Sequence, residues 1–219
     1  MSRAKKITGE RMTHSFSQTP HFYLDTEVKL TELKEFKAKM TDATGFKFSY
    51  NDFIIAAVAR SLKRYPLVNG SFVEGEIRVN EDINVALATA TERGLLVPVI
   101  KEANKISLLE LGKYRKKLVK KTREERITVE ELEGGTFTIS NLGMFGIKGF
   151  YPIINPPQAG ILAVGKIEER VVAEKGKIGI EPMMDIRLAA DHRVLDGVEG
   201  AKFLMSVKEL LEDPDQLTG

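Results

Sequence analysis

One short segment near the end of the chain combines an imidazole and a carboxylate at a spacing that suits acid–base chemistry. His192 and Asp196 lie in the sequence Ala-Ala-Asp-His-Arg-Val-Leu-Asp-Gly, which ends at Gly197. A histidine titrates near neutral pH, so one presented between a strand and a helix can act as a general base. A purely structural interpretation also fits, in which Asp196 caps a helix and Glu199 completes a capping box. The segment alone leaves both interpretations open.

A second candidate is a hydroxyl at the end of an alternating segment. In Thr-Phe-Thr-Ile-Ser-Asn-Leu-Gly, residues 136–143, alternation places Phe137 and Ile139 on one face and the hydroxyls, including Ser140, on the other. Taken alone, the segment favours an ordinary polar sheet face. The glycines at positions 143, 146 and 149 match neither a dinucleotide fingerprint nor a phosphate-binding loop, so they predict a turn-rich loop.

Other chemistries are disfavoured by the residue types that the sequence contains. The chain has three histidines, His14, His21 and His192, and no cysteine. Because neither a His-Glu-x-x-His motif nor paired cysteines occur, we predict no metal site. The absence of cysteine also excludes a cysteine nucleophile and a disulfide framework.

The helices that must position these residues follow from apolar spacing. Helices are expected after Thr31, after Ser49, over 108–123 and over about 199–211. Thr31 is expected to cap the first of them. Ser49 and Asp52 have the spacing of a capping box, which predicts that the second helix begins there.

The helix predicted over 108–123 has two contrasting faces. Leu111, Tyr114 and Leu118 are expected to face the core. The opposite face is basic and carries Lys116, Lys117, Lys120, Lys121 and Arg123. A docking surface for an acidic partner is one interpretation of this face, and a solvated helix surface is the one that such a charge pattern favours.

Much of the remaining chain alternates short apolar runs with turn residues. Extended segments are expected at 21–30, between 71 and 101, and at 135–141, 159–165, 167–174 and 177–190. Pro98 predicts an edge strand or a local break, and the first twenty residues are predicted to be irregular. This mixture of amphipathic helices with a large β component predicts a single α+β domain.

Composition limits the partners and the location. Lys and Arg number 33 and Asp and Glu 31, a net charge of +2, so no nucleic-acid partner is expected. Hydrophobic residues make up 42% of the chain, which suffices for a sizeable core. No apolar run is long enough to span a bilayer, and no signal-peptide core follows Met1. We therefore expect a cytoplasmic protein with no membrane partner.

Four segments, in order along the chain, together resemble one family. They are KKITGERMTHSFSQTPHFYL, RGLLVPVIKEANKISLLEL, GTFTISNLGMFGIKGFYPIINPPQAGILAVGKI and ADHRVLDG. The family is the catalytic core of the dihydrolipoamide acyltransferases, central components of 2-oxoacid dehydrogenase complexes. Chloramphenicol acetyltransferases and the condensation domains of peptide synthetases look like more distant relatives. The resemblance implies a single chloramphenicol acetyltransferase-like domain, with helices packed on a mixed β-sheet, that forms trimers.

The resemblance implies an enzyme that moves an acyl group between the dihydrolipoyl group and coenzyme A. His192 matches the family's general base, and Ser140 matches the hydroxyl that stabilises the tetrahedral oxyanion. In the family these two residues meet across a subunit boundary. Asp196 matches an aspartate that steadies the histidine loop rather than taking protons.

Three further residues have supporting roles by the same resemblance. Arg11 is expected to form an ion pair with that aspartate, and Asn141 and Gly197 are expected to set local geometry. The residues that bind coenzyme A are not identified by the sequence. Lys148 and Lys166 are possible contacts for its phosphates.

The resemblance also implies partners beyond this chain. Coenzyme A is the expected substrate, and a lipoyl domain that is not in this chain would supply the lipoyl group. The expected partners are two more copies in a homotrimer, a larger shell of trimers, and the decarboxylase and dihydrolipoamide dehydrogenase components of the complex. Because no lipoyl or peripheral-subunit-binding domain is recognised, residues 1–219 are expected to be an isolated acyltransferase core. The polar segment 212–219 makes the shell less firmly implied than the trimer.

Two other functions fit parts of the sequence. One is a trimeric scaffold that organises partner enzymes with little activity of its own, and the other is an acetyltransferase for a small alcohol or amine. The intact pair of His192 and Ser140 favours catalysis. The SNLGMFG and NPPQAGILAVGKI segments favour the lipoyl group as acceptor. The acyl group itself, whether acetyl, succinyl or branched-chain, is not determined by these motifs.

Overall fold

The computed structural model describes residues 3–92 and 94–218, so the first residue of the RGLLVPV segment lies outside the described part. Its helices are α1 (Arg3–Gln18), α2 (Thr31–Thr44), α3 (Tyr50–Arg64), α4 (Leu108–Arg123) and α5 (Gly197–Glu212). Its strands are β1 (His21–Lys29), β2 (Gly70–Val73), β3 (Glu76–Val79), β4 (Val85–Leu87), β5 (Thr89–Thr91), β6 (Gly94–Leu96), β7 (Val99–Ile100), β8 (Phe137–Asn141), β9 (Gly160–Glu174) and β10 (Lys177–Asp191). Short 3₁₀ turns follow α3, β8 and α5.

Six of these strands form one mixed sheet in the order β1-β10-β9-β8-β4-β7. The central strand β8 runs parallel to both β9 and β4, whereas β10 is antiparallel to β9 and to β1. Parallel neighbours need a long crossover, and the crossover between β4 and β8 includes α4. Two small hairpins, β2 with β3 and β5 with β6, stand beside this sheet.

The core lies between the sheet and helices α3 and α5. Phe53 of α3, Phe137 of β8 and Phe203 of α5 are fully buried. The rings of Phe137 and Phe203 lie 5.5 Å apart, centroid to centroid, and join the central strand to the last helix. The predicted single α+β domain is confirmed.

Two helices, α3 and α4, begin where the sequence predicts. Ser49 forms the predicted capping box with Asp52 at the start of α3. Helix α4 has the predicted bounds, and it begins with a second capping box between Ser107 and Glu110. Side-chain acceptors at these positions satisfy amide hydrogens that have no partner inside the helix.

Four local predictions were wrong. The first twenty residues are not irregular, because α1 occupies most of them. Thr31 does not cap α2: Leu30 holds the cap position without a side-chain hydrogen bond, and the Thr31 hydroxyl donates to Glu181 instead. Tyr114 is 39% exposed rather than inward-facing. The two segments expected at 159–165 and 167–174 are one continuous strand, β9.

Candidate active site

Three hydroxyls lie on one face of β8 and the residue before it, as alternation predicts, but they differ in their partners. The Thr136 hydroxyl accepts the Asn84 amide at 3.0 Å, and the Thr138 hydroxyl donates to the Gln158 side chain at 2.6 Å. Ser140 is half-buried, and its hydroxyl has no hydrogen-bond partner among the described residues. Its hydroxyl is therefore the member of the row that is free to serve a ligand.

Ser140 contributes to the wall of a cavity of about 660 Å³. The start of α3, the middle and end of α4, β5 and the loop after β8 supply much of the wall, including Tyr50, Val119 and Met144, and residues of β4, β6, β9 and β10 complete it. A concave, mostly apolar cavity of this size with a few polar groups is typical of a small-molecule site. The hydroxyl thus lies where a bound ligand can reach it.

The loop after Ser140 is held by close packing and by one amide side chain. The Asn141 side chain accepts the amide of Gly143 at 2.9 Å and donates to the Asn51 side chain at 2.7 Å. A Cβ atom on Gly143 would lie 2.5 Å from the Gly165 carbonyl oxygen, so only glycine allows the loop to approach β9 this closely. Asn141 therefore sets local geometry beside the candidate hydroxyl.

His192 lies directly after β10 and is exposed. Its backbone amide donates to the Pro20 carbonyl at 3.0 Å, and its ring packs on Phe22 with centroids 4.8 Å apart. Pro20 lies just before β1 and Phe22 lies within it, so both contacts come from the start of the edge strand. The side chain remains open to solvent and to any neighbouring molecule.

The residues on either side of His192 form an ion pair that the sequence reasoning missed. Asp191 is 2% exposed, and Arg193 holds it with two parallel bonds, at 3.0 Å from Nε and 2.7 Å from Nη2. The Arg193 guanidinium also lies 4.4 Å from the Phe72 ring centroid. Hydrogen bonding to Asp191 raises the pKa of Arg193 further above its ordinary value. The signal was available, since opposite charges flank the histidine at the end of a strand.

Asp196 takes the helix-capping role. Its carboxylate accepts the amides of Val198 and Glu199 at 2.9 and 2.8 Å, and Glu199 completes the capping box. Arg11 instead donates to the Pro156 carbonyl at 3.3 Å. The predicted ion pair between Arg11 and Asp196 is not formed among the described residues of one chain, because both groups have these other partners.

Gly197 is the first residue of α5, and a Cβ atom there would meet no other atom within 4 Å. Nothing within the described chain therefore requires a glycine at this position.

The other two histidines are not equivalent to His192. The His21 ring accepts the Ile154 amide through Nε2 at 3.0 Å and contacts the Thr19 carbonyl through Nδ1 at 2.7 Å. This arrangement requires a neutral ring with its proton on Nδ1, which occupies both nitrogens with structural bonds. His14 is exposed on α1. His192 is thus the imidazole best placed to exchange protons with a ligand.

Sheet register separates Ser140 from His192. Ser140 pairs with Ala163 of β9, and Ala163 pairs with Arg187 of β10. His192 follows Arg187 by about five residues, or roughly 16 Å along the strand, and two strand spacings add about 10 Å sideways. The two residues are therefore about 19 Å apart within one chain, too far for their side chains to share a reacting atom.

The cations around the cavity are paired to different extents. Arg115 forms an ion pair with the fully buried Asp52, whereas Arg123 is exposed at the cavity wall and has no partner among the described residues. Lys166 pairs with Glu168 at 2.6 Å, and this hydrogen bond lowers the pKa of Glu168. Lys148 lies elsewhere, in a shallow depression.

The described residues contain no group of three or more histidine, cysteine, aspartate or glutamate side chains that could hold a metal ion. None of the helices in this part of the chain has the length and apolar character needed to cross a membrane.

Comparison with known sequences places the chain among acyltransferases. The family model described as 2-oxoacid dehydrogenases acyltransferase (catalytic domain) matches residues 1–218. The chain is 42% identical over 214 residues to the dihydrolipoyllysine-residue acetyltransferase component of pyruvate dehydrogenase complex of Rickettsia felis, covering 96% of this chain and 52% of that protein. It is 38% identical over 221 residues to the succinyltransferase component of the 2-oxoglutarate dehydrogenase complex of Haemophilus influenzae, covering 99% and 54%. The chain spans about half the length of these relatives.

Solved structures agree with this placement. Two of them match with a TM-score of 0.94 and 30% identity, covering 99% of this chain and 91% of theirs. One is a dihydrolipoamide acetyltransferase of Azotobacter vinelandii, studied for the role of a serine, a histidine and an asparagine in its catalytic mechanism. The other is the cubic core of a pyruvate dehydrogenase multienzyme complex.

A chloramphenicol acetyltransferase shares the fold with a TM-score of 0.58 at 14% identity, covering 92% of this chain. The predicted chloramphenicol acetyltransferase-like fold is thereby confirmed. The family match extends over almost every residue of the chain, and the relatives share its whole fold. The chain therefore belongs to the 2-oxoacid dehydrogenase acyltransferase family, as a catalytic domain of that family.

Proposed function

We propose that this protein transfers an acyl group between the dihydrolipoyl group and coenzyme A, with His192 as general base and Ser140 as oxyanion donor. The observation that carries the proposal is the free Ser140 hydroxyl in the wall of the cavity, in a row whose other hydroxyls are bonded. The three residues studied in the Azotobacter vinelandii enzyme have the same spacing along the chain as Ser140, His192 and Asp196. Aspartate here stands where that enzyme has asparagine.

The proposed reaction needs a base because a thiol is a poor nucleophile while protonated. A thiol has a pKa of about 8.5 and an imidazole about 6.5, so moving the proton costs roughly 3 kcal/mol. Neutral His192 takes the thiol proton as the sulfur attacks the thioester carbonyl. The tetrahedral intermediate then collapses, the old carbon–sulfur bond breaks, and the departing thiolate recovers the proton. Both substrates supply their own sulfur, so the protein needs no cysteine.

Ser140 acts on the oxygen rather than on the proton. As the sulfur attacks, negative charge develops on the carbonyl oxygen, and a hydroxyl donor at that point stabilises it. One such donor contributes about 3 kcal/mol. A serine without a protein partner can donate its hydroxyl hydrogen to this oxygen without first breaking another bond.

A second copy of the chain is needed to complete this site. The separation of about 19 Å between Ser140 and His192 is too large for one subunit, so we propose that Ser140 meets the histidine of a neighbour in a homotrimer. Val171, Ile178 and Ile180 form an exposed apolar strip on the β9–β10 hairpin, 72%, 82% and 67% exposed. Val171 pairs directly with Ile180, so the strip lies on one face. This strip supports a packed contact with a second copy.

The proposed substrates and partners follow from the family. Coenzyme A carries the acyl group, and a lipoyl domain of the same complex brings the dihydrolipoyl group. Decarboxylase and dihydrolipoamide dehydrogenase components would join the assembly. The likeness to a cubic core supports a shell of trimers. Location in the cytoplasm stays a prediction from composition.

The Asp196 cap at the start of α5 is expected to position the histidine loop. It fixes the start of α5 four residues after the histidine, so we propose that Asp196 positions the histidine loop without exchanging protons. The carboxylate is already bonded to two amides, which supports a positioning role.

A transfer assay tests the activity. Acetyl-, succinyl- and isobutyryl-coenzyme A would each be offered with free dihydrolipoamide, to the wild type and to His192→Ala. Transfer by the wild type alone supports the proposal, and the preferred donor identifies the acyl group. A folded wild-type trimer that transfers none of the three would overturn it and favour the scaffold function.

Subunit mixing tests the shared site. His192→Ala and Ser140→Ala would be unfolded together and refolded in equal amounts. If each site takes its histidine from one chain and its serine from the next, every mixed trimer regains both residues at one of its three sites, which after random mixing is about one quarter of all sites. Activity of the mixture that stays at the level of the separate variants would contradict the shared site.

A further inference from the structure

Two asparagine side chains connect the loop after Ser140 to the start of α3. Asn141 uses both ends of its amide: the oxygen accepts the Gly143 amide at 2.9 Å, and the nitrogen donates to the Asn51 side-chain oxygen at 2.7 Å. Both asparagines are half-buried and contribute to the wall of the cavity beside Ser140. The residue next to the candidate oxyanion donor is therefore tied to a different element, 90 positions away in sequence.

The start of α3 is itself held firmly. The Asn51 amide donates to the Ser49 hydroxyl at 3.1 Å, and the Ser49 amide donates to Asp52 at 2.6 Å. Asp52 is fully buried and forms an ion pair with Arg115 of α4. A buried carboxylate with these partners cannot shift without losing bonds that solvent does not replace. The capping box and α4 thus fix the position of Asn51. Its hydrogen bond to Asn141 therefore restrains the loop after β8.

Ser140 depends on such support more than its neighbours in the row. The Thr136 and Thr138 hydroxyls are each oriented by a hydrogen bond, whereas no described residue orients the Ser140 hydroxyl. The direction of its side chain is therefore set by the backbone at the end of β8. The Asn141 side chain holds that backbone from the following residue.

We infer that Asn51 is a positioning residue for the oxyanion donor and acts on Ser140 through Asn141. This inference rests on the proposed function. Misplacing the hydroxyl weakens its bond to the developing oxyanion, which exists only in the transition state, so turnover falls while substrate binding is kept. A displacement of about 1 Å is enough to reduce catalysis by up to ~100-fold.

The test compares two substitutions at one position. Asn51→Ala removes the acceptor for the Asn141 amide, whereas Asn51→Asp keeps an acceptor oxygen there. We expect Asn51→Ala to lower kcat ~10- to 100-fold with KM for the acyl donor nearly unchanged, and Asn51→Asp to retain most of the wild-type kcat. The matched control is Asn80→Ala, since Asn80 donates its amide to the Asn69 carbonyl at 2.6 Å in the β2–β3 region, outside the cavity wall.

A double-mutant cycle separates positioning from general destabilisation. In a Ser140→Ala background, Asn51→Ala should lower kcat no further, because the hydroxyl that it positions is already gone. An equal loss in both backgrounds would overturn the inference, as would a change confined to KM. If Ser140→Ala itself left kcat unchanged, the oxyanion role in the proposed function would fail. A loss in Ser140→Ala with full kcat in Asn51→Ala would overturn the inference alone.

Discussion

Ser140 and His192 lie in regions of the molecule that are built in opposite ways. Ser140 is half-buried at the end of a central strand, in the wall of a cavity that α3, α4 and several other strands also line. His192 is exposed at the end of a strand near the sheet edge, where its amide bonds to Pro20 and its ring packs on Phe22. This contrast supports the proposal that one chain supplies the cavity with its oxyanion donor and presents its base to a neighbouring chain.

The two regions also differ in how they are held rigid. Around Ser140 the bonds are long-range and mostly neutral, from β8 to α3 and from the loop to β9. Around His192 the bonds made by side chains are local and charged, since the Asp191–Arg193 pair spans two positions and the Asp196 cap lies within one turn. The His192 backbone adds one long-range neutral bond, to the Pro20 carbonyl. Damage to the first region is therefore expected to affect catalysis through geometry. Damage to the second is expected to affect stability as well.

Removal of the proposed general base should reduce turnover more than any other single change. His192→Ala should lower kcat by ~10²–10⁴, the usual range for loss of a general base. Ser140→Ala should lower it by ~10²–10³, the usual range for loss of one oxyanion donor. The pH profile distinguishes them, because only the histidine variant should lose the limb that reports the titration of the base. Steady-state kinetics at several pH values measure both, and an identical pH profile in the two variants would contradict the assignment.

The next effect concerns the charged pair beside the histidine. Arg193→Ala leaves the buried Asp191 carboxylate without its ion-pair partner, which should lower the free energy of unfolding by about 2 kcal/mol. This loss is smaller than for a fully buried pair, because Arg193 is partly exposed to solvent. Arg193→Lys keeps the charge but not the two parallel bonds, so its loss should fall in between. Denaturant unfolding measures the free energies. Wild-type stability in Arg193→Ala would show that the pair does not hold this region.

Asp196 offers a smaller and more local test. Asp196→Ala removes the cap of α5 and should cost about 1 kcal/mol, whereas Asp196→Asn keeps a capping oxygen and should cost much less. If the cap serves only to position the histidine loop, kcat should also fall more in Asp196→Ala than in Asp196→Asn. Full loss of activity in Asp196→Asn would point to a charge-dependent role that the cap does not explain.

The sequence predicted features that depend on residues near one another in the chain. The capping boxes at Ser49 and Asp196 and the bounds of α4 follow from patterns shorter than two helical turns. Helix α1 was not predicted because two of its three large apolar residues, Ile7 and Phe16, are exposed, so the helix has no apolar stripe facing the core. Its anchor is instead the buried hydroxyl of Ser15, bonded at 2.6 Å to a carbonyl 139 positions away.

The same limit applies to the candidate site. The alternation of side chains along β8 predicts that Ser140 lies on the same face as the Thr136 and Thr138 hydroxyls. Its distance from His192, however, follows only from the register of β8, β9 and β10. The Asn51–Asn141 bond depends on how α3 docks beside β8, and no pattern within either segment signals it. The proposed pairing of Arg11 with Asp196 rested on resemblance, and the chain gives both groups other partners.

A weaker change in KM is expected if a cation in the cavity wall beside Ser140 binds the charged phosphates of the acyl donor. Arg123 is the cavity-wall arginine that Asp52 does not neutralise, and the basic face of α4 continues outward from it. An exposed arginine that meets a phosphate of coenzyme A contributes on the scale of a surface ion pair, so Arg123→Ala should raise KM for acyl-coenzyme A about two- to fivefold. A short acyl thioester without phosphates should show no change, and Lys117→Ala, on the same helix but outside the cavity wall, is the control. Equal KM changes for both donors would show that Arg123 shapes the cavity without recognising charge, and the binding half of the site would then lack an assigned phosphate contact.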